Sequence, residues 1–542
     1  MIRLVFRSLK GNKIRFIITM LVMLITNILS LLMNVVNQRI FDVAFYNRNI
    51  KYLVTHGIHM IIGIYIIILV LGIVTKKLSA DLFANSIAII RSEFLENVIN
   101  SEYLFFLKST PADLYYRMFS DLSVVHIYVL DALMNVPLRI MYALSGIIIL
   151  FLWSHLLTIV YLFFLCINVL IVLLTRKYRT KLVKRQKESE QGLMSKIQEN
   201  FYNILLIKSA GIEEKRICRG KDEIHKYSLI DSRNTLHFSL LNIINGFSNN
   251  IWSIVLIVMG AFLVYDNCIT VGEYIIFSIL SSSISGIIFN LLDSIFKYPQ
   301  ACISFKRCEE YMGFKKSHIE GTEKFRLEKA LTVNNLSFRY PGGAENVINN
   351  MSFMLKPQSV VAVIGENGNG KTTLVNIITR LLNVENSKIF IDNLDIKKIN
   401  KTEFSRYVAY CTEVTQIFNA SLAYNILLDR EQVITDEDFK EILIQINLKD
   451  VIESLPYKME TLIGAGGIQL SAGNIQKIGI VRTLVTKPKI AVFDEPGTNL
   501  DIESKCNLYK LIKTYANDKK ALVLVITHDK EFLPYADNII YV

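Results

Sequence analysis

Six apolar runs, arranged as three pairs, dominate the first 300 or so residues. The first pair covers about 16–37 and 57–75, the second about 132–153 and 156–175, the third about 247–265 and 272–297. A helix rises about 1.5 Å per residue, so some ~20 apolar residues cross the ~30 Å hydrocarbon core of a bilayer. In lipid every backbone N–H and C=O needs a partner within the structure, and for a single segment only a helix supplies them. The runs therefore predict six membrane-spanning helices. Only Ser154-His155 separates the middle pair, so a tight turn is expected there.

Composition and charge fit a membrane chain. Hydrophobic residues make up 52% and charged residues 20% of the 542, and the mean hydropathy is +0.36, all unusual for a soluble protein. A net charge of +12 admits a nucleic-acid partner or an asymmetric membrane topology. Arg3, Arg7, Lys10, Lys13 and Arg15 crowd the N-terminus without an acid, which favours topology, because Lys and Arg stay on the cytoplasmic side. Six spans return the chain to that side. The long, charged connections 76–131 and 176–246 then fall inside, and the helices are expected to continue well beyond the membrane. A signal peptide fits the first run poorly, since no small-residue cleavage site ends it and five spans follow. A soluble nucleic-acid ATPase is the class these spans oppose most, and no nucleic-acid partner is expected. None of the seven cysteines sits in a C-x-x-C pair, so neither a zinc site nor a disulfide framework is indicated. Richness in Ile, Lys and Asn points to a bacterial source.

After Lys297 the pattern changes. A mixed, charged stretch over 299–329 reads as a helix end and linker. From about Ala330, short β-branched runs alternate with helical ones: LTVNNLSF, VVAVIG, KIFID, YVAYC, IAVFDE, ALVLVITH. That alternation predicts a parallel α/β sheet. The expected architecture is an all-α six-helix transmembrane domain (1–298) followed by an α/β P-loop ATPase domain (330–542).

The C-terminal part carries a phosphate-binding pattern. Gly365-Glu366-Asn367-Gly368-Asn369-Gly370-Lys371-Thr372 fits G-x-x-x-x-G-K-[ST], after an apolar strand and before a helical run that starts with Thr373. Glycines let backbone N–H groups turn toward phosphate oxygens, and the helix adds its positive end. Lys371 is expected on the β- and γ-phosphates of ATP and Thr372 on Mg²⁺. Asp494-Glu495 end a buried strand. Asp494 would hold Mg²⁺ through water and Glu495 would polarise the attacking water as general base.

Between these motifs stands Leu470-Ser471-Ala472-Gly473-Asn474. It resembles L-S-G-G-Q, the signature of the ATP-binding cassette (ABC) superfamily. Six spans, a linker and a C-terminal cassette follow the order of ABC exporter half-transporters, so the resemblance covers essentially the whole chain. It implies that Tyr340 stacks on adenine, that His528 senses the γ-phosphate, and that Asp501 lies in the loop coupling two ATP sites. The inner loop at 105–122, with Arg117 and Asp121, resembles its exporter counterpart, as does the one from Glu199. Both tips would be short coupling helices docked on cassettes.

Three departures stand out: Ala472 and Asn474 in the signature, Glu413 where the family has glutamine, and Ala465 where it has an acid. Glu413 still offers Mg²⁺ an oxygen but adds negative charge and loses an amide donor. In the family, two cassettes sandwich two ATP molecules, each between the Walker motifs of one chain and the signature of the other. The resemblance thus implies a partner half-transporter, in a homodimer or an asymmetric heterodimer. ATP binding would close the cassettes and switch the spans from inward- to outward-facing. The cell or inner membrane of a bacterium is the expected location, with N-terminus and ATPase cytoplasmic.

The transported molecule is left open among amphipathic peptides, lipophilic drugs and lipids. Arg139 and Asp293 are ionisable residues within spans and are candidates for an inward-open cavity. The competing reading has Arg139 snorkelling and Asp293 paired with Lys297. A regulatory subunit that binds ATP but transports little is the alternative function. The chain ends at Val542, where related cassettes continue, so it is expected to be naturally trimmed or cut short.

Overall fold

The computed structural model describes residues 1, 9, 11–45, 53–107, 110–312, 321–366, 368–384, 388–430 and 436–542. Arg3, Arg7, Lys10 and Asn367 lie outside the described residues. The chain forms two compact units, Met1–Asn100 with Thr110–Phe314, and Ser101–Ser109 with Lys315–Val542.

In the first unit, six helices among the described residues are long and apolar enough to cross a membrane. They are α1 (Lys13–Phe45), α2 (Ile58–Ile99), α3 (Pro111–Trp153), α4 (His155–Tyr202), α5 (Glu213–Tyr265) and α6 (Val271–Met312). Each contains one of the apolar runs and outlasts it. At 48 and 53 residues, α4 and α5 are each more than twice as long as a ~30 Å core requires. π-Helical turns interrupt α3 at Arg117–Asp121 and Asp131–Asn135. The turn between α3 and α4 is the single extended residue Ser154, whose hydroxyl caps α4 by accepting from Leu157 N.

Helix packing relies on small and polar contacts, as expected where apolar side chains gain nothing over lipid. Gly146 of α3 lies against α6, where an added Cβ would meet Ile284 Cδ1 at 2.9 Å. Tyr161 OH donates to Ser281 O at 2.8 Å and Trp252 Nε1 to Ser281 Oγ at 3.1 Å. The outer faces are apolar: Leu69 and Ile73 of α2 are 63% and 62% exposed. Such contiguous apolar surface suits lipid and not water.

In the stretch read as a helix end and linker, α6 passes through Pro299 and continues to Met312. Residues 321–329 pack onto the second unit, with Glu323 N donating to Lys398 O, Asn400 N donating to Glu323 O, and Phe325 stacked on Tyr407.

The second unit holds a parallel sheet of order β11-β3-β10-β9-β6. Its strands are β3 (Ser359–Ile364), β6 (Val408–Cys411), β9 (Ile490–Asp494), β10 (Leu522–Ile526) and β11 (Asn538–Tyr541). β3, β9 and β10 read as unbroken apolar runs because both faces are covered. A second, antiparallel sheet of order β2-β1-β4-β5 was not expected from the pattern. It comprises β1 (Leu331–Phe338), β2 (Ile348–Leu355), β4 (Ile389–Ile391) and β5 (Leu394–Asp395), while two further short strands, β7 (Ala420–Ser421) and β8 (Leu462–Ile463), pair with each other. Three of the eight residues of β2 are polar (Asn349, Asn350 and Ser352), since only part of it is buried.

Two short helices sit in the connections between α2 and α3 and between α4 and α5. Tyr103–Phe106 belongs to the second unit, where Leu104 packs on its core and Glu102 accepts from Asn383 Nδ2 at 2.8 Å. Ile204–Ser209 belongs to the first unit; its Leu205 and the preceding Tyr202 are 80% and 89% exposed.

Candidate functional site

Strand order creates the site. β10 lies between β3 and β9, all parallel, so the loops leaving the three strands emerge at one edge. That edge is where α/β sheets bind ligands. The loop after β3 carries Gly365–Gly370, β9 ends at Asp494 before Glu495, and His528 follows β10. A cleft of about 530 Å³ opens there, lined by Tyr340, Gly368, Gly370, Lys371, Thr372, Thr373, Glu413, Asp494, Glu495 and His528 among others.

Local backbone geometry explains the glycines. Gly370 has φ +95° and precedes α7 (Lys371–Ile378); a Cβ would also meet Val347 O at 2.8 Å. Gly368 has φ +92°. Both need the left-handed region that side chains disfavour. Lys371 is buried, and its ammonium donates to Gly365 O (2.6 Å), Glu366 O (3.1 Å) and His528 Nε2 (3.0 Å). Thr372 Oγ1 donates to Asp494 Oδ2 at 3.4 Å. Tyr340 OH and Thr373 Oγ1 are hydrogen-bonded at 3.1 Å. Asn369 is exposed at the loop tip, its amide reaching Val542 O.

Glu495 is held in an uncommon backbone conformation, φ +47°, of the kind that persists where surroundings over-determine it. Its N–H donates to Ile526 O (2.9 Å), and its C=O accepts from Gln476 Nε2 (2.8 Å) and Thr498 Oγ1 (3.1 Å). The side chain points into the cleft, with Oε1 buried, lacking a hydrogen-bond partner and 3.7 Å from His528 Nε2. Burial raises the pKa of Glu495; His528 opposes this, while Asp494 and Glu413 add to it. Burial likewise raises Asp494, against a hydrogen bond from Tyr410 and with Glu413 reinforcing the rise. A half-buried carboxylate with a raised pKa and an unpaired oxygen is equipped to take a proton.

The signature residues lie elsewhere. Leu470, Ser471, Ala472, Gly473 and Asn474 do not line this cleft. Ser471 caps α8 (Ala472–Val485), its hydroxyl accepting from Asn474 N, and Ser471 and Ala472 are exposed. Gly473 packs against the following loop, where a Cβ would meet Asn499 O at 2.6 Å. Asp501 caps α9 (Ile502–Asp518) by accepting from Ser504 N and also stays outside the cleft.

Two residues escaped sequence reasoning. Buried Gln476 ties α8 to the Glu495 loop, accepting from Asn499 N while donating to Glu495 O. Tyr410 OH donates to Asp494 Oδ2 at 3.1 Å. In the first unit, Arg139 and Asp293 line a shared cavity of about 440 Å³. Asp293 pairs with Lys297 as expected (3.0 Å) and also with Arg179 (2.9 Å). Arg139 faces Asp131 at 3.4 Å.

Comparison with known proteins agrees with this architecture. A family model described as "ABC transporter" matches residues 348–498, and one described as "ABC transporter transmembrane region" matches 16–288. A putative export ATP-binding/permease protein of Rickettsia bellii is 25% identical over 498 residues, covering 88% of this chain and 84% of that one. The ATP-dependent lipid A-core flippase of Pseudomonas aeruginosa is 32% identical over 222 residues, 41% of this chain and 36% of that one. A solved structure of a bacterial Atm1-family ABC exporter with ATP bound superposes with a TM-score of 0.83 at 18% identity, covering 98% of this chain and 93% of that one, which establishes the shared fold.

Proposed function

The chain belongs to the ABC transporter family, a multi-pass membrane protein that couples ATP hydrolysis to transport, and from that premise we propose how its residues divide the work. It acts as half of a dimeric exporter of an amphipathic or hydrophobic substrate across a bacterial cytoplasmic membrane, its N-terminus and cassette on the cytoplasmic side. The match to the lipid A-core flippase spans under half of this chain, so peptide, drug-like and lipid substrates all remain within the class.

The observation that carries the hydrolytic part is the unpartnered Oε1 of Glu495, on a strained backbone held by four hydrogen bonds beside His528. In the proposed reaction ATP lies with its adenine on Tyr340. Its phosphates take the place of Gly365 O, Glu366 O and His528 as partners of the Lys371 ammonium. Loop N–H groups from Gly365 to Thr373 surround them. Glu495 accepts the proton of the water that attacks the γ-phosphate, and His528 steadies that phosphate.

The cleft also fits Mg²⁺. Thr372 Oγ1 and Asp494 Oδ2 form an oxygen pair 3.4 Å apart, with Glu413 on the same wall. Among the described residues no three His, Cys, Asp or Glu side chains form a metal cage, which suits an ion that takes most ligands from phosphate and water. When bound, Mg²⁺ neutralises charge on the β- and γ-phosphates.

The signature of one chain would complete the ATP site of a second. Exposed Ser471 and Ala472 support this, as do Tyr202 and Leu205, an apolar tip suited to the partner's cassette. We take the partner to be another copy of this chain, because Ser471 and the Gly473 backbone keep the donors a phosphate needs. Glu413 and Ala472 favour a second reading, an asymmetric pair in which this chain supplies the Walker side of the competent site. The test is Glu495→Gln in lipid: turnover should vanish while Mg·ATP stays bound. Hydrolysis at the normal rate would remove Glu495 as base.

A further inference from the structure

The cavity of about 440 Å³ in the first unit is walled by α1, α2, α3 and α6. Its size lies within the range of small-molecule sites. Met23, Phe83, Ile127, Leu130 and Met134 give it an apolar side. The lining also carries polar side chains, and their hydrogen bonds are unevenly used. Asp131 is well supplied with donors: Asn135 Nδ2 (2.8 Å), Ser294 Oγ (2.9 Å) and the Arg139 guanidinium (3.4 Å). Asp293 is held from two sides by Arg179 (2.9 Å) and Lys297 (3.0 Å).

The donors are not similarly occupied. Arg139 has five N–H groups and, among the described residues, meets only Asp131 and Ser294, at 3.4–3.5 Å. Lys297 offers three N–H, of which Asp293 takes one. Asn290 and Gln300 add two side-chain amides to the wall. In the lining two carboxylates (Asp131, Asp293) stand against two cations (Arg139, Lys297), and Arg179, outside the lining, engages Asp293 as well. What remains to a ligand is unused donor capacity beside apolar side chains.

We propose that this cavity binds an amphiphilic anion, an acceptor-rich phosphate or carboxylate head held by Arg139 and Lys297, with its apolar part against α1–α3. A cationic amphiphile would find both carboxylates already engaged. This deepens the transport reading above and rests on it. The head group can come from a bilayer lipid or from a free amphiphile.

The test uses the full chain released from detergent into native mass spectrometry. Dodecyl phosphate is compared with dodecyltrimethylammonium, and phosphatidylglycerol with phosphatidylcholine. The anionic probe should bind in preference to the cationic one. Arg139→Gln should weaken dodecyl phosphate about tenfold or more, the scale of a lost charge-assisted hydrogen bond. Asn290→Asp should do the same by placing an acid in the wall, whereas Arg139→Lys should largely retain binding. If phosphatidylglycerol competes with dodecyl phosphate, the anion is supplied by the bilayer; if it does not, by a free amphiphile; either supports the class. Equal binding of the two dodecyl probes, or an anion preference unchanged in both Arg139→Gln and Asn290→Asp, overturns it. Mg·ATP binding by the same samples reads the ATPase proposal separately.

Discussion

Gln476→Leu keeps the volume of a buried side chain but removes two hydrogen bonds, the donation to Glu495 O at 2.8 Å and the acceptance from Asn499 N at 3.2 Å. Neutral hydrogen bonds contribute about 0.5–1.5 kcal/mol each, so the pair is worth about 1–3 kcal/mol. The left-handed backbone of Glu495, φ +47°, costs about 1–2 kcal/mol. Four hydrogen bonds hold that backbone: its N–H donates to Ile526 O, and its C=O accepts from Gln476 Nε2, Thr498 Oγ1 and Thr498 N. The tether lost is comparable to the strain it helps to hold, so the Glu495 carboxylate should spend much less time in its working position. At ~1.4 kcal/mol per tenfold, kcat should fall about tenfold. KM for ATP should hardly change, because Gln476 does not line the nucleotide cleft. Gln476→Glu sharpens the case: it still accepts from Asn499 N but cannot donate to Glu495 O, and it should resemble the leucine variant. Steady-state ATPase assays in lipid read both constants. A kcat within twofold of the parent for Gln476→Leu would refute the claim that Gln476 holds the base.

Tyr410→Phe removes only the hydroxyl that donates to Asp494 Oδ2; up to about tenfold loss of ATPase is expected, on the scale of one hydrogen bond, with thermal unfolding of the cassette little changed. The raised pKa of Glu495 places the acid limb of kcat/KM above the ordinary value of 4.5, since the base works only when deprotonated. Glu413→Gln removes one negative neighbour of Glu495, which lowers that pKa, so the limb should move to lower pH; a pH–rate profile that moves upward would contradict the assignment.

The spans were legible because length and apolarity leave lipid-buried backbone no other form. Helix ends were not: the halves of α4 and α5 beyond their apolar runs are charged and largely exposed, so no apolar boundary marks where they stop. β3, β9 and β10 were legible as apolar runs covered on both faces. The antiparallel sheet was missed because β2 is only partly buried and mixes Asn and Ser with its apolar residues. In the site, Lys371, Thr372 and Asp494 were readable from their motifs and His528 from the family resemblance, and the four do converge. Gln476 and Tyr410 carry no motif of their own, since their roles come from partners brought near by tertiary folding. The same holds for Arg139, whose partner Asp131 sits eight residues away across a π-helical turn that alters the usual helical spacing.

The central claim is that ATP is held between the phosphate loop of one copy and the signature of another. Asn369 and Ser471 are both exposed in the single chain and would face each other across that nucleotide. With the seven natural cysteines replaced, Asn369→Cys and Ser471→Cys in a Glu495→Gln background should cross-link in Mg·ATP and not without nucleotide. The product should be a band at about twice the chain's 62.1 kDa. Mg·ATP bound at full occupancy with no cross-link between chains would contradict the account.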